Sequence, residues 1–475
     1  MKPVRTRFAP SPTGYLHVGG IRTALFAWLV ARQAHGQFIL RFEDTDKKRE
    51  VEGARDHLIQ SLRALGLEYD EGPDIGGPYA PYVQSERMES YHAWAQKLID
   101  KGRAYADIRT SEELEALRED ARSKKQPFLA RDYRPNNPPI WHLGMPLRFL
   151  SDPKAYQWHD EVMGDLSTGP EVIDDVILIK SDGLPTYNFA HIVDDAEMEI
   201  THIIRTQEFI ASQPNYLNLY EALDIKRPLI ATAPPVLGPD GKKKLSKRDG
   251  AKDVLDYIRD GFLPDAIVNF MALLGWNDGT EQEIFSRQEL IEKFSLSRVG
   301  RSGANFDERR LIWLNGHYIR ELTLDDLYTK IDGFWPPEAN EVGDDYKKQV
   351  LSLVQERLKF FRELPDLTVF FFKDLPVNME LIDANKQLKK LTHTELKNLL
   401  TTTKSSLEKS DFSEQDLTDR LNALLTATDQ KPGVLFSLIR IASTQVSASP
   451  GLAGTLAVLG HDTALRRISQ LIGAL

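Results

Sequence analysis

Two short stretches carry residue types at a spacing that could do phosphate chemistry. The first is Pro10-Ser11-Pro12-Thr13-Gly14-Tyr15-Leu16-His17-Val18-Gly19-Gly20. An extended run, Val4 to Ala9, precedes it. Apolar residues at Ile21, Ala24, Leu25, Trp28 and Leu29 follow, at the spacing of one buried helix face. Strand, tight loop, then helix is the layout that brings an anion against free N–H groups at a helix N-terminus. Gly19 and Gly20 let the backbone approach a ligand closely, because no Cβ intervenes. His17 stands just before the helix, where a ring N–H could reach a phosphate oxygen. Alone, His17-Val18-Gly19-Gly20 amounts to a glycine-punctuated turn. The second stretch, far along the chain, is Lys244-Leu245-Ser246-Lys247-Arg248. A basic run by itself is a solvated face. A serine flanked by lysines on a loop, however, is suited to closing over a triphosphate.

The elements that must position these stretches read as an α/β fold. Gly36 stops the first helix, and Phe38 to Phe42 is a second strand ending in Glu43-Asp44-Thr45-Asp46. Ligands of α/β folds sit at that edge of the sheet, so the acidic cluster is a site candidate. Thr45 or Asp46 is also expected to cap the next helix, whose face carries Val51, Ala54, Leu58, Leu62 and Leu65. Residues 66–82 read as an exposed loop and Gln84 to Lys101 as a helix. From Ala104 to Thr186 the pattern is mixed, with a charged helix (Ser111 to Lys125), a Pro-rich stretch and short strands. Asp174 to Lys180 is a strand ending in the turn Ser181-Asp182-Gly183. Gly238-Pro239-Asp240-Gly241 is a turn that delivers the second motif. Residues 262–320 read as helical, with Trp276 and Trp313 expected in the core. Beyond a linker around Pro336-Pro337 and residues 340–344 the chain reads as all helix. Val350, Leu351, Val354, Leu358 and Phe361 form one stripe; Leu417, Leu421, Leu424 and Leu425 form another. Ser413 to Asp416 resembles a capping box.

Composition narrows the class. The chain has 475 residues, enough for about three domains. It is 41% hydrophobic and 27% charged, the balance of a soluble globular protein. No apolar run approaches the roughly 18 residues that cross a bilayer. Met1 to Arg5 leads straight into the first strand, so a cytoplasmic protein, or a processed organellar one, is expected. With no cysteine, disulfides, thiolate nucleophiles and Cys-ligated zinc are ruled out. The net charge of −10 counts against a general nucleic-acid binder, yet phosphate contact depends on local patches. Arg122, Lys124, Lys125, Arg131, Arg134, Lys431, Arg440, Arg466 and Arg467 are candidate phosphate contacts.

Taken in order, the two motifs resemble the paired "HIGH" and "KMSKS" signatures of class I aminoacyl-tRNA synthetases. In this variant they look like the bacterial-type glutamyl-tRNA synthetases, and the resemblance runs over nearly the whole chain. It implies a Rossmann-type catalytic domain with an α+β acceptor-stem insertion and an all-α C-terminal anticodon-binding bundle. The corresponding boundaries are 1–103 and 187–250 for the catalytic fold, 104–186 for the insertion, 251–322 for a helical stem-contact domain and 323–475 for the anticodon domain. The block from Leu184 to Arg205 matches the family's second catalytic half, departing at Thr206-Gln207-Glu208. Several relatives hold zinc through cysteines near Ala104 to Arg109. Asp107 and Arg109 stand there instead, so no zinc is expected; the two either pair or, as exposed charges usually do, lie solvated.

The reaction the resemblance implies is ATP-dependent activation of L-glutamate, then transfer to the terminal adenosine of tRNA(Glu). It assigns Thr13, His17, Gly19, Gly20, Lys244, Ser246 and Lys247 to ATP, with His17, Lys244 and Lys247 catalytic. Glutamate carries two carboxylates and one ammonium, which Arg7, Arg205 and Glu43 match in charge, with Ser11 and Tyr187 as hydrogen-bonding partners. Arginine suits carboxylates because its planar fork binds both oxygens. His191 reads as a core residue. Magnesium is expected with ATP, and no protein metal site. A monomer is expected, with charging of tRNA(Gln) as well as tRNA(Glu) the alternative. A small nucleotidyltransferase is disfavoured by the length and helical tail, and an inert RNA-binding paralogue by the intact polar groups of both motifs.

Overall fold

The protein is described from a computed structural model covering residues 3–16, 18–245 and 252–475. It divides into two compact units, 1–258 with 264–308, and 259–263 with 309–475. The first unit is built on a four-stranded parallel sheet. Strand β1 (Arg5–Phe8) runs into helix α1 (Val18–Gln33) and strand β2 (Gln37–Leu40). Helix α2 (Ala54–Ala64) and helix α3 (Met88–Asp100) follow. The sheet order places β2 on one side of β1, with two later strands on the other. The chain thus leaves β1 in both directions, which opens a crevice at the carboxyl ends of the strands. Gly36 permits the tight return from α1: a Cβ there would lie 2.1 Å from the Val4 carbonyl oxygen.

Helix α1 is buried more completely than its apolar stripe predicts. Phe26 and Ala27, off the stripe, are buried like Leu25 and Leu29. The sheet covers one side of the helix and later helices of the same unit cover another. The expected cap at Thr45 or Asp46 does not form. Helix α2 starts only at Ala54, after Gly53 at φ 75°, and Asp46 makes no capping hydrogen bond to the short turn Lys47–Arg49. Val51 precedes the helix and is exposed.

The inserted segment comprises strand β3 (Ala104–Ala106), helix α4 (Ser111–Ser123), strand β4 (Leu147–Phe149), the hairpin β5 (Tyr156–Asp160) and β6 (Gly164–Thr168), and strand β7 (Ile177–Ile179). β3, β4 and β7 form an antiparallel sheet. Tyr105 and Leu147 are buried there, whereas Leu114, Leu117, Phe128 and Trp141 are only half-buried. Charge fills the gap. Asp107, 2% exposed, accepts from Arg109 Nε and Nη2 at 2.7 and 2.9 Å and from Arg148. Arg148 reaches the Asp175 carbonyl at 2.8 Å, and Arg134 grips the Asp175 carboxylate with two bonds of 2.7 Å. The solvated reading of Asp107 and Arg109 is therefore wrong. Pairing of β3 with β4 brings Arg148 alongside Asp107, which is buried just past the end of β3. Arg134 likewise helps to hold the insertion together through Asp175.

Burial works against the Asp107 charge, but the hydrogen bonds from Arg109 and Arg148 win and hold its carboxyl below the usual range. A depressed native value means stability that is present above about pH 4 and lost as pH falls through the folded-state value. Asp107→Ala is expected to destabilise the insertion by about 3 kcal/mol, because it leaves Arg148 buried without its partner. Hydrogen exchange in β3 and β4 measures this. Protection in the variant should fall at pH 7, while chelator treatment leaves the parent unchanged.

Helix α5 (Tyr187–Glu197), strand β8 (His202–Thr206), helix α6 (Gln213–Ala222) and strand β9 (Leu229–Ala233) complete the sheet, in the order β2-β1-β8-β9. The hairpin is fastened to β9 through Asp160, which accepts from the Thr232 hydroxyl at 2.6 Å and its N–H at 3.1 Å. Strand β10 (Val236–Leu237) pairs in parallel with β11 (Ala304–Asn305). Residues 262–320 are thus not helical throughout: helices Pro264–Leu273 and Arg287–Lys293 are separated by coil and followed by that strand.

The second unit is helical, around a core that includes Leu396, Leu400, Leu417, Leu438, Ile439, Leu456 and Ile468. Ser413 accepts from the Asp416 N–H, but the Asp416 side chain turns to Ser410 and Arg420, so the box is half formed. Trp276 is buried as expected; Trp313 is not, with 49% of its surface exposed. It lies opposite Leu311 and Leu314 on helix Glu308–Glu321, whose other face is the buried one. Arg467 is taken up by Asp374 and the Ser443 carbonyl at 2.8 and 2.9 Å, which removes it as a phosphate contact. Among the described residues no helix is long and apolar enough to cross a membrane.

Candidate active site

The carboxyl ends of β1, β2 and β8 converge on a cavity of about 1000 Å³. Arg7, Ser11, Thr13, Gly19, Gly20, Glu43, Tyr187, Arg205 and Lys244 all line it. Residues from distant parts of the sequence are brought together because parallel strands end on one edge. His17, Ser246 and Lys247 lie outside the described residues.

The floor of the cavity is a buried charge network. Arg7 points from β1 at Asp195 of α5, with Nε 3.1 Å from Oδ1 and Nη2 3.3 Å from Oδ2. Arg41, fully buried just past β2, shares the same carboxylate at 2.8 Å and donates to Glu43 Oε1 at 2.9 Å. Burial opposes the charge of Asp195, yet the two guanidiniums hold it at about 2. For Glu43 burial is the larger effect and pushes its carboxyl up to about 7, with Arg41 and Arg7 pulling against it. Arg41 and Asp195 are the residues that sequence reasoning missed. The available signal was one lone arginine inside the apolar run Phe38 to Phe42, which names no partner.

The other wall is aromatic. His191 is buried, and burial lowers its ring to about 3, so it is neutral at pH 7. Its Nδ1 lies 2.6 Å from the Tyr187 carbonyl, and its ring stacks on Tyr187 at 4.6 Å. A neutral ring beside that carbonyl donates from Nδ1, which sets the tautomer and fixes Tyr187. His191 is thus the core residue that was expected. Arg205, at the end of β8, lies over Tyr216 at 5.2 Å and Phe209 at 5.6 Å. It is 6% exposed, and no carboxylate among the described residues pairs with it. Among the arginines that line the cavity, Arg7 is already paired with Asp195, whereas Arg205 meets no carboxylate among the described residues.

The two motif loops meet at the cavity rim. β10 bridges to the second loop between Leu237 and Lys244, and the Leu245 N–H donates to the Val236 carbonyl at 2.8 Å. Lys244 Nζ pairs with Glu208 at 2.9 Å, both residues well exposed. Tyr15 of the first loop stacks on His57 at 4.5 Å, and His57 lies 2.8 Å from Asp253. Helix α2 thereby touches a segment flanking each loop. Lys180, also lining the cavity, donates to the Thr45 carbonyl at 3.0 Å.

Residues 3–313 match the family model described as tRNA synthetases class I (E and Q), catalytic domain, and residues 324–472 match an anticodon binding domain. The chain is also 40% identical to a glutamate--tRNA ligase of Dehalococcoides mccartyi, over 99% of this chain and 98% of the relative. It belongs to the glutamate--tRNA ligase family. A ligase of Clostridium novyi is 39% identical over 98% of this chain and 97% of its own length. Among solved structures, a glutamate tRNA ligase from Elizabethkingia meningosepticum, crystallised in complex with its amino acid, superposes with a TM-score of 0.88 at 30% identity, covering both chains entirely. The enzyme from Elizabethkingia anophelis gives 0.85 at 30% identity, covering 99% of this chain and all of the other. For the ligase family these matches establish an α/β class I catalytic domain followed by a helical anticodon-binding domain, in an aminoacyl-tRNA ligase that uses ATP.

Proposed function

We propose that this chain activates L-glutamate with ATP and transfers it to the 3′-terminal adenosine of tRNA(Glu). The observation that carries the reading is the pairing, in one cavity, of the open Arg205 guanidinium with the buried Glu43 carboxylate. Arg205 matches one carboxylate of glutamate and Glu43 its ammonium, and Arg7, on the same cavity, is the cation for the second carboxylate. In the first step a glutamate carboxylate oxygen attacks the α-phosphorus, and the bond to pyrophosphate breaks. In the second a ribose hydroxyl attacks the acyl carbon and AMP leaves. No covalent enzyme intermediate is needed, so the protein's work is alignment and charge stabilisation.

In this reading Gly19 and Gly20 approach the phosphates through backbone N–H groups, with His17 and Thr13 beside them. Lys244, Ser246 and Lys247 stabilise the departing pyrophosphate. Arg7, Ser11, Tyr187 and Arg205 hold glutamate, and Glu43 takes its ammonium. Magnesium, held by the phosphates when bound, screens their charge. Among the described residues no cluster of three acidic or His side chains would hold a metal alone. Residues 104–186 grip the acceptor stem, 251–322 pack under it, and 323–475 read the anticodon, with the enzyme acting as a monomer. The curated relatives named above carry the glutamate name alone, so tRNA(Gln) stays outside the reading.

ATP–pyrophosphate exchange with glutamate, run with and without tRNA(Glu), tests the proposal; no exchange under either condition defeats it. The elevated Glu43 value adds a pH signature. Only ionised Glu43 attracts an ammonium, so KM for glutamate should fall as pH rises through about 7. Glu43→Gln should flatten that dependence. A parent KM that is level from pH 6 to 8 would assign the ammonium to another group.

A further inference from the structure

Arg22 sits on α1, two residues past Gly20, and is 1% exposed. Unlike Arg7 and Arg41 it has no carboxylate partner among the described residues. Its Nη1 donates to the Leu274 carbonyl at 3.0 Å, its Nη2 to the Pro234 carbonyl, and its buried Nε has no hydrogen-bond partner among the described residues. Burial lowers its value to about 10, which still leaves it cationic at neutral pH. Burying a charge against carbonyls alone is unfavourable compared with an apolar side chain of similar length. A residue that only filled this space would be a methionine or leucine.

Its contacts suggest what the charge is for. Pro234 leads directly into β10, the strand that hydrogen-bonds Leu245 and bridges to Lys244. Pro234 and Pro235 carry no N–H, so that corner offers only acceptors. The guanidinium fork can hold two carbonyls from separate segments in a single plane while keeping its charge. Arg22 also lines the cavity, together with Gly19, Gly20, Val236 and Lys244.

We infer that Arg22 is a positioning residue for adenylate formation: it locks the helix that follows the first motif loop to the strand that carries the second, and presents an uncompensated positive charge to the polyphosphate of ATP. This rests on the ligase reading. Geometry and charge make separate contributions. The fork sets the spacing between the loops, and a misplacement of about 1 Å can cost two orders of magnitude in rate. The charge is neutralised only when phosphate arrives.

The variants Arg22→Lys and Arg22→Met in the full chain separate the two. ATP–pyrophosphate exchange gives kcat and KM for ATP, and calorimetry gives the affinities for glutamate alone and for inorganic pyrophosphate alone. Arg22→Met is expected to raise KM for ATP at least about tenfold, lower exchange kcat about a hundredfold and weaken pyrophosphate binding, while leaving glutamate affinity within about twofold. Arg22→Lys should retain most of the pyrophosphate affinity and still lose kcat, because a point charge cannot hold both carbonyls. Exchange within about threefold of the parent in Arg22→Met overturns the inference. So does an equal loss of glutamate and pyrophosphate affinity, which marks a merely structural residue. If Arg22→Met does not fold, Arg22→Lys decides: parent-like exchange refutes the inference, and lowered exchange with glutamate affinity kept supports it. A parent that shows no exchange at all defeats the ligase reading itself, whereas parent-like variants defeat only this inference.

Discussion

Replacing Arg205 by Gln is expected to lower kcat/KM for glutamate at least about a hundredfold in ATP–pyrophosphate exchange. Arg7 and Arg41 both spend their guanidiniums on Asp195, and Arg41 also on Glu43. Among the described residues Arg205 is held between the rings of Tyr216 and Phe209, which orient its plane without neutralising it. A substrate carboxylate entering that space meets a preformed, desolvated cation, and a glutamine side chain there offers hydrogen bonds but no charge. The effect should fall on glutamate and spare ATP, so KM for ATP stays within about threefold. The decisive measurement is discrimination between glutamate and glutamine. If the variant discriminates as sharply as the parent, another residue reads the side chain.

Lys247→Ala is expected to lower adenylate formation by about two to four orders of magnitude with little change in glutamate binding. The expectation comes from the Lys-Leu-Ser-Lys-Arg spacing, since Lys247 lies outside the described residues. Its setting is nonetheless informative. Lys244, three positions before, lines the cavity, and its Nζ pairs with the exposed Glu208. An exposed pair of that kind is worth about 1 kcal/mol or less, so phosphate can displace it at small cost. A lysine acting on charge that builds up at the leaving pyrophosphate contributes at the transition state and not in the ground state. Pyrophosphate exchange that stays near the parent's in Lys247→Ala would take the loop out of the chemistry.

Much of this protein was legible in its sequence, for a local reason. The strand, loop and helix around Gly19 and Gly20 follow from apolar spacing and from glycines that admit a close backbone approach, both properties of a few consecutive residues. The same holds for the helical tail, where one face repeats without interruption. The family resemblance that the two motifs carry also nominated residues that line the cavity, Arg7, Glu43 and Arg205 among them. Tertiary structure decided the charges. Arg7 and Arg41 meet Asp195 across 188 and 154 positions of chain, and nothing in the run Phe38 to Phe42 indicates which acid an embedded arginine will find. Asp107 and Arg109 looked like solvated neighbours until β3 paired with β4 and brought Arg148 alongside. Thr45 and Asp46 looked like caps, but the chain first takes a separate short turn, and Trp313 looked like core although only the opposite face of its helix is covered. Periodicity encodes which way a side chain points relative to its neighbours. Whether that direction ends in water, in apolar packing or against an opposite charge depends on segments far away in sequence, and that is settled only when they fold together.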